Sequence, residues 1–593
     1  MDKKSEKTQA ELYREERKAR LAKAAAKKKK RANRVSMTKG TKTAIAVVIV
    51  IALVAGIAGV AISNSGIKYR KSAALTIGDI GDVSAAEYSF YYRTIANNYF
   101  EYGYTYDSQY GAGYGAMFLG GYDYSKSPDE QTYSEELEGY ENPTWADFFD
   151  YTVKTQLVNI KAYAKLAEEK GITLDDDDIK TIDEQITSIK ETADSNNYSL
   201  GAYLKASYGE GVNKALFKKI LEEQTLATKY QNAITEELED KLSDKEIEAE
   251  YKEDTTAYDK VGIAYYLVTA SKEKTTSDDG TESEKVTAAT MKKAKETANK
   301  LAKSKDVDEL SKAVDKVAGA EDALTKLNIV DKDSVSNNLG SDVADWIYGK
   351  KIKVGDAKVF EEDETGYYVC MVLATPYREN KNTIDVRHIL INFTSSDDSS
   401  SDNETTAADN STDDANVPAL DTFKDVDIKM SVTAETAKDK EAYAKAELIL
   451  RKYLAGERTA ESFGTLATEN TDDSGSKETG GLYENVAPGD MITEFNDWCF
   501  DSSRKAGDVG IVETTYGYHI MYFVETNADP EWKADIKAHL GEHAFESYVE
   551  ENITDEKYPV SVVGQSYIDN AITSTTKLIK RQISSLSNSS SLS

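Results

Sequence analysis

The sequence predicts an α+β chain: one helical region and two small antiparallel sheets surrounded by helices, behind a single N-terminal transmembrane helix. Three observations carry that reading. Apolar residues recur at three- and four-residue spacing almost without a break from Trp145 to Asp254, the period of an amphipathic helix. Strand-like runs then return twice in matching surroundings, over 261–376 and 384–527. Ahead of both, Ala44 to Ile62 holds nineteen residues without a charge.

With 593 residues the chain has room for several domains. A net charge of −31 argues against nucleic-acid binding through the bulk surface. The charge is unevenly placed. Residues 1–42 hold sixteen Lys/Arg against five Asp/Glu and read as a basic cytoplasmic tail, whose Lys27–Arg31 run suits anionic headgroups. At 1.5 Å per residue the apolar run spans roughly 28 Å, enough for a bilayer core, so 43–63 is expected to be a transmembrane helix. A cleaved signal peptide is the alternative. It fits less well, because the basic region and the apolar run are both long and Ala61-Ile62-Ser63 is a weak cleavage site. No cysteine follows the run, so lipid anchoring is unsupported. Only Lys68, Arg70 and Lys71 follow closely, which places the N-terminus in the cytoplasm and the bulk of a single-pass cell-membrane protein outside it. Two cysteines allow at most one disulfide; Cys370 and Cys499 sit in apolar contexts of different domains, which favours two buried thiols.

Residues 72–258 form the expected helical domain. A strand at Ala74–Asp79 precedes Ser84, an N-cap with Glu87 three residues on, opening a helix through Tyr88, Phe90, Tyr91 and Ile95. Residues 101–140 are rich in Tyr and Gly, either a flexible insertion, the favoured reading, or a sticky surface for unfolded chains. Trp145, Phe148, Phe149, Val153, Leu157 and Ile160 mark the next helix, which Gly171 ends. Further helices are expected over Ile179–Ile189, Leu200–Ser207, Asn213–Glu236 and Ser243–Tyr251. An internal repeat follows. Residues 259–378 look like a worn copy of 383–527: Asp345-Trp346 answers Asp497-Trp498, Val354-Gly355-Asp356 answers Ala506-Gly507-Asp508, and Tyr265 and Tyr368 stand where the second copy has His388 and His519. The insertion 394–416 is Ser/Thr/Asp-rich and should be disordered. A helix over Glu531–Asn552, within 528–570, and a Ser-rich tail at 571–593 complete the chain.

The second copy is the informative one. Val386-Arg387-His388-Ile389-Leu390-Ile391 reads as a strand, Lys438–Tyr453 as a helix, followed by Phe463-Gly464-Thr465-Leu466-Ala467. Then come Thr471-Asp472-Asp473-Ser474, a Gly480-Gly481-Leu482 turn, apolar Met491, Phe495 and Phe500, and a last strand Tyr516-Gly517-Tyr518-His519-Ile520-Met521. The chain has four histidines, and pairing these strands sets His388 beside His519. Such a pair either lines an active site or is a satisfied core pair. This order resembles the parvulin family of peptidyl-prolyl isomerases. The resemblance implies the family's fold and its activity on X-Pro bonds, with neither cofactor nor metal. It places His388 and His519 in the site, Leu482, Met491 and Phe495 at the proline pocket, and Phe500 at its wall, though all four apolar residues also read as ordinary core. Asp473 falls where the family has a Cys or Asp near the twisting amide; it is also good turn chemistry. Thr515 and Tyr516 are expected to bring hydroxyls near His519.

Glu168-Glu169-Lys170-Gly171-Ile172-Thr173 and Leu242-Ser243-Asp244-Lys245-Glu246-Ile247 resemble the helical chaperone domain of the SurA/PrsA/PpiD foldases. That resemblance implies a foldase whose partners are unfolded or newly exported polypeptides with X-Pro bonds, and a helix at 531–552 that docks on residues 75–255. A holdase or a surface scaffold without isomerase activity is the alternative. The worn copy is expected to have a parvulin fold without a working site, serving as spacer or client binder. Asp397, Asp398, Asp402 and Glu404 follow the first strand with no Lys or Arg, so no phospho-dependence is expected. His539-Leu540-Gly541-Glu542-His543 fits a zinc-protease pattern but is short and has no further histidine downstream, and the acidic runs lack EF-hand spacing; no metal is expected. Oligomeric state is not set by the sequence.

Overall fold

The computed structural model describes residues 66–276, 282–394 and 417–590. The expected basic tail, the span 43–63 and nearly all of the insertion 394–416 lie outside the described residues. Among the described residues no helix is long and apolar enough to cross a membrane. The chain forms two compact units, one of residues 243–537 and one joining 66–242 with 538–590.

The helical unit opens with β1 (Ala73–Ile77) and β2 (Gly81–Ser84), then α1 (Ala85–Tyr110), α2 (Trp145–Glu169), α3 (Asp176–Ser195), α4 (Leu200–Tyr208) and α5 (Lys214–Glu239). Each start is written in its cap. Ser84 accepts from the Glu87 N–H, and Thr144/Asp147 and Asp175/Asp178 form reciprocal capping boxes, each cap contributing about 1 kcal/mol. Buried Lys161 pairs with Glu87 at 2.5 Å and Glu223 at 2.6 Å, tying α1, α2 and α5 together.

Two expectations differ from the structure here. The Tyr/Gly-rich stretch is not a loose insertion at its start: α1 continues through Tyr110, and Tyr122 is fully buried with its ring 5.7 Å from Tyr99, 5.2 Å from Trp145 and 5.6 Å from Phe149. Aromatic edges meeting faces supply the ordering that the glycine content conceals. α3 also begins earlier and ends later than 179–189, because its first turn is capped acidic residues that carry no apolar period.

The second unit carries α6 (Asp244–Glu253) and then two four-stranded sheets with their helices, the first interrupted by a hairpin that forms a two-stranded sheet of its own. The first comprises β3 (Lys260–Thr269), a hairpin of β4 (Lys272–Thr276) and β5 (Glu282–Val286), α7 (Ala288–Leu301), α8 (Val307–Ala318), β6 (Thr325–Val330), α9 (Lys332–Leu339), α10 (Ser341–Ile347), β7 (Ala357–Glu362) and β8 (Gly366–Tyr377). The second comprises β9 (Asn382–Asn392), α11 (Lys440–Ala455), α12 (Ala460–Asn470), β10 (Leu482–Val486), α13 (Thr493–Cys499), β11 (Val509–Glu513) and β12 (Gly517–Pro530). Strand orders are β6-β3-β8-β7 and β10-β9-β12-β11, the same arrangement twice, and every pairing is antiparallel. The central registers agree position for position: Tyr265 lies opposite Cys370 as His388 lies opposite Met521, and Leu267 opposite Tyr368 as Leu390 opposite His519. Each sheet has a core on both faces, since successive side chains alternate. Cys370 and Cys499 are buried free thiols.

The chain then forms α14 (Glu531–Asn552), β13 (Val560–Val562) and α15 (Gln565–Ser590). From residue 538 on it belongs to the helical unit. Phe545 packs with Tyr163 and Tyr230, and the Tyr548 and Tyr230 hydroxyls meet at 2.6 Å. β13 pairs with β1, and Ile568 and Ile579 are fully buried in the helical core. The expected Ser-rich tail is thus a helix up to Ser590. Ala571, Leu578 and Ile579 are buried at helical spacing, and Ile583 and Leu586 beside the first serines still pack on the helical core, a pattern that composition alone does not reveal.

Candidate active site

The site lies on one face of the second sheet. His388 on β9 and His519 on β12 project to the same side, diagonal neighbours across the central pair. Their rings lie edge to edge, tilted by 21° with centres 5.2 Å apart and Nδ1 of each 3.0 Å apart. His388 Nε2 lies 3.0 Å from Asp473 Oδ2, and His519 Nε2 lies 3.0 Å from Thr514 Oγ1. Asp473 Oδ2 also accepts from Ser476 Oγ at 2.5 Å and from the Tyr483 hydroxyl at 2.8 Å, while Oδ1 accepts the Gly475 N–H.

A carboxylate only accepts, so His388 Nε2 carries hydrogen. The two Nδ1 atoms share one hydrogen bond, and Thr514 Oγ1 closes the far end on His519 Nε2. The Thr514 oxygen in turn accepts the Tyr516 N–H at 3.1 Å. One hydrogen-bonded chain runs from Thr514 through both imidazoles to Asp473. Burial, then the neighbouring His388, holds His519 down at about 3, so it is neutral at pH 7. Hydrogen bonds from His388, Ser476 and Tyr483 keep the Asp473 carboxyl well below the usual carboxylate range. Burial, then the adjacent carboxylate, pushes the Tyr483 hydroxyl up.

Phe495 braces the pair, edge-on to His388 and to His519 at 5.4 Å each, and Tyr483 stacks on His388 from the other side at 5.1 Å. Phe495 is 2% exposed. It supports the histidines from beneath more than it faces solvent. Met491 and Phe500 are partly buried and pack on the same cluster. Leu482, also partly buried, opens β10 opposite Arg387 and stands outside that cluster. Leu390, half-buried directly opposite His519, joins the same face.

The expected residues are therefore placed unequally. His388, Asp473, His519 and Phe495 are in direct contact. The hydroxyl on His519 belongs to Thr514 and not to Thr515, whose side chain is exposed. Tyr516 is 65% exposed and contributes its backbone N–H through Thr514. Gly517, whose backbone meets β9, turns the chain so that Thr514 faces inward, a one-residue offset invisible to spacing. Ser476 and Tyr483 were not among the candidates. Their signal was the Asp-x-x-Ser spacing from 473 and the aromatic after the Gly-Gly turn.

Residues 367–527 match the PPIC-type PPIASE domain family. The match begins within β8, which pairs into the first sheet. Foldase protein PrsA 3 of Bacillus cereus is 35% identical over 101 residues, 17% of this chain and 35% of that protein. Foldase protein PrsA 1 of Listeria monocytogenes is 31% identical over 102 residues, 17% and 32% respectively. The chain spans about a third of the length of the curated relatives it matches. Among solved structures, PrsA from Bacillus subtilis is 13% identical with a TM-score of 0.17, covering 76% of this chain and 93% of that one. Residues 367–527 thus carry a PPIC-type, or parvulin, domain related to that of the PrsA foldases.

Proposed function

We propose that the second sheet domain catalyses cis–trans isomerisation of X-Pro bonds, and that the chain is an extracytoplasmic, membrane-anchored foldase for unfolded or newly exported polypeptides. The observation that carries the isomerase reading is the buried histidine pair, held by Thr514 and Asp473 and bordered by half-buried apolar side chains.

Rotation about a prolyl bond twists an amide out of conjugation against ~18–20 kcal/mol. Nothing need be attacked or deprotonated. What lowers the barrier is an apolar seat for the ring, exclusion of water that stabilises the planar amide, and fixed dipoles suited to the twisted one. Met491 and Phe500, with Leu482 at the margin, supply the seat. The two imidazoles, held by Thr514 and Asp473, supply fixed hydrogen-bonding groups, His519 without charge. Asp473, already engaged by three side-chain donors, acts as a positioning residue that orients the histidines.

A protease-coupled assay on an unphosphorylated Ala-Pro peptide tests this. Met491 is only partly buried, so Met491→Ala should keep the fold and lower kcat/KM at least tenfold, about 1.4 kcal/mol of transition-state binding. Wild-type turnover at background, with aggregation of unfolded proteins still suppressed, would favour the holdase reading instead. The first sheet supports that second reading as a possibility of design: Tyr265 and Tyr368, rings 6.1 Å apart, keep the fold without the histidines.

The anchor rests on the uncharged run Ala44–Ile62. Full chain expressed in cells should stay with membranes through alkaline extraction, and a variant lacking 44–62 should be released; retention of both would sink it.

A further inference from the structure

The two sheets differ at one edge. In the second, the segment ahead of α11 lies along β11. Lys429 N–H donates to Val509 O at 2.8 Å, Ser431 N–H to Ile511 O at 3.0 Å, and the Trp498 indole N–H to Lys429 O at 2.8 Å. Alternate residues Ile428, Met430 and Val432 pack into the core on the α11 side. Under this strap Val509 and Ile511 are at most 1% exposed and Trp498 is 6%.

Among the described residues the first sheet has no such cover. Ala357–Glu361 hold the places of Val509–Glu513 by register, and Trp346 that of Trp498. Ala357, Val359, Phe360 and Trp346 are only partly buried, and Lys358 is exposed. An open groove of about 650 Å³ straddles β7, walled by α7 on one side and α10 on the other. Trp346 meets Phe360 edge-on at 5.5 Å on the α10 side, and Lys295 Nζ lies 5.2 Å over Tyr367 on the α7 side.

From this pair of edges we infer that β7 is a docking strand for an extended segment of an unfolded polypeptide. The segment adds to the sheet as the strap adds to β11, its backbone hydrogen-bonding to an edge strand and alternate apolar side chains covering Ala357 and Val359. Charges of both signs border the groove, Lys295 and Lys358 against Asp342, Asp345 and Glu361. Selection is therefore by extended backbone and apolar alternation, with little preference for charge. One detail differs between the edges. Gly510 lets the Lys429 carbonyl come close, where a Cβ would overlap it; Lys358 holds that place in the first sheet, so the incoming strand keeps the ordinary ladder spacing of about 4.8 Å. The inference does not depend on the histidine site.

The test uses the full chain and a labelled peptide with the sequence of residues 425–433, carrying a photo-crosslinker. Crosslinks should fall on 341–347 and 357–362. Trp346→Ala, which lies outside the sheet ladder, should weaken binding at least tenfold. The same peptide, N-methylated at the residues facing the strand, should also bind at least tenfold more weakly to the unaltered protein, a result that no folding defect imitates. Crosslinks confined to 482–523, equal binding of the N-methylated peptide, or no peptide binding with a dimer that Val359→Lys dissolves would each overturn it, the last by showing a second copy on the strand.

Discussion

His519 sits at the centre of the candidate site with its pKa held near 3 by burial and by His388, and this has a measurable sign. In the unfolded chain a histidine titrates near 6.5. Between pH 6.5 and 3 the unfolded state therefore binds one proton more than the native state at this residue, and stability falls as pH falls, by up to about 1.4 kcal/mol per pH unit. Asp473 acts in a different window: its lowered pKa contributes stability that is present above about 3.8 and lost only below it. Urea unfolding followed by hydrogen exchange in β9 and β12 should show the second sheet weakening from pH 7 to 4.5, with His519→Gln flattening most of that slope. The same slope in both proteins would remove His519 as its origin. At this scale the sequence was partly legible. His388 and His519 stood out because histidine is rare in this chain and both fall in strand-like runs, and Asp473 because of its place in the parvulin resemblance. Thr514 and Ser476 did not, because a hydroxyl's role depends on which way one residue of turn faces.

Among elements, the Gly480-Gly481 turn joins the site to its strand. Gly481, at φ +74°, donates to Ser476 O and accepts the His388 N–H at 2.9 Å, while Arg387 binds the Thr479 and Gly480 carbonyls at 2.7 and 2.8 Å. A Cβ on Gly481 would overlap the His388 carbonyl oxygen. Gly481→Ala adds left-handed strain to that overlap, so it should cost about 2 kcal/mol or more and lower isomerase turnover by shifting His388. Thermal unfolding checks the first; an unchanged melting curve would contradict it. The start of α1 was legible because Ser84, with Glu87 three residues on, announces itself as a cap, while the Asp175 cap of α3 lay ahead of the apolar period and of the expected 179–189. The extent of α1 and α15 was not legible, since Tyr, Gly and Ser content says little about whether long-range apolar contacts order a segment.

For the whole molecule, the repeat was readable as fixed offsets between two stretches, and the matching strand orders and registers give those offsets a structural form. What the offsets did not show is the strap on one sheet and the bare edge on the other. The strap, 428–432, lies between the insertion 394–416 and α11, in a stretch where neither helix nor strand is expected, and an edge strand's exposure depends on what else the chain lays against it.

The helical unit is also discontinuous: β1 pairs with β13, and α15 packs beside α1, nearly five hundred residues away. A chain made from its N-terminus forward has both sheets in hand before that partner strand exists. Folding of the helical unit thus waits for the last segment, and until then the apolar faces of α1 and β1 stay open. Local sheet formation is early and long-range closure is late. For as long as it is being made, a protein of this order has the same exposed surfaces as the polypeptides it is proposed to assist.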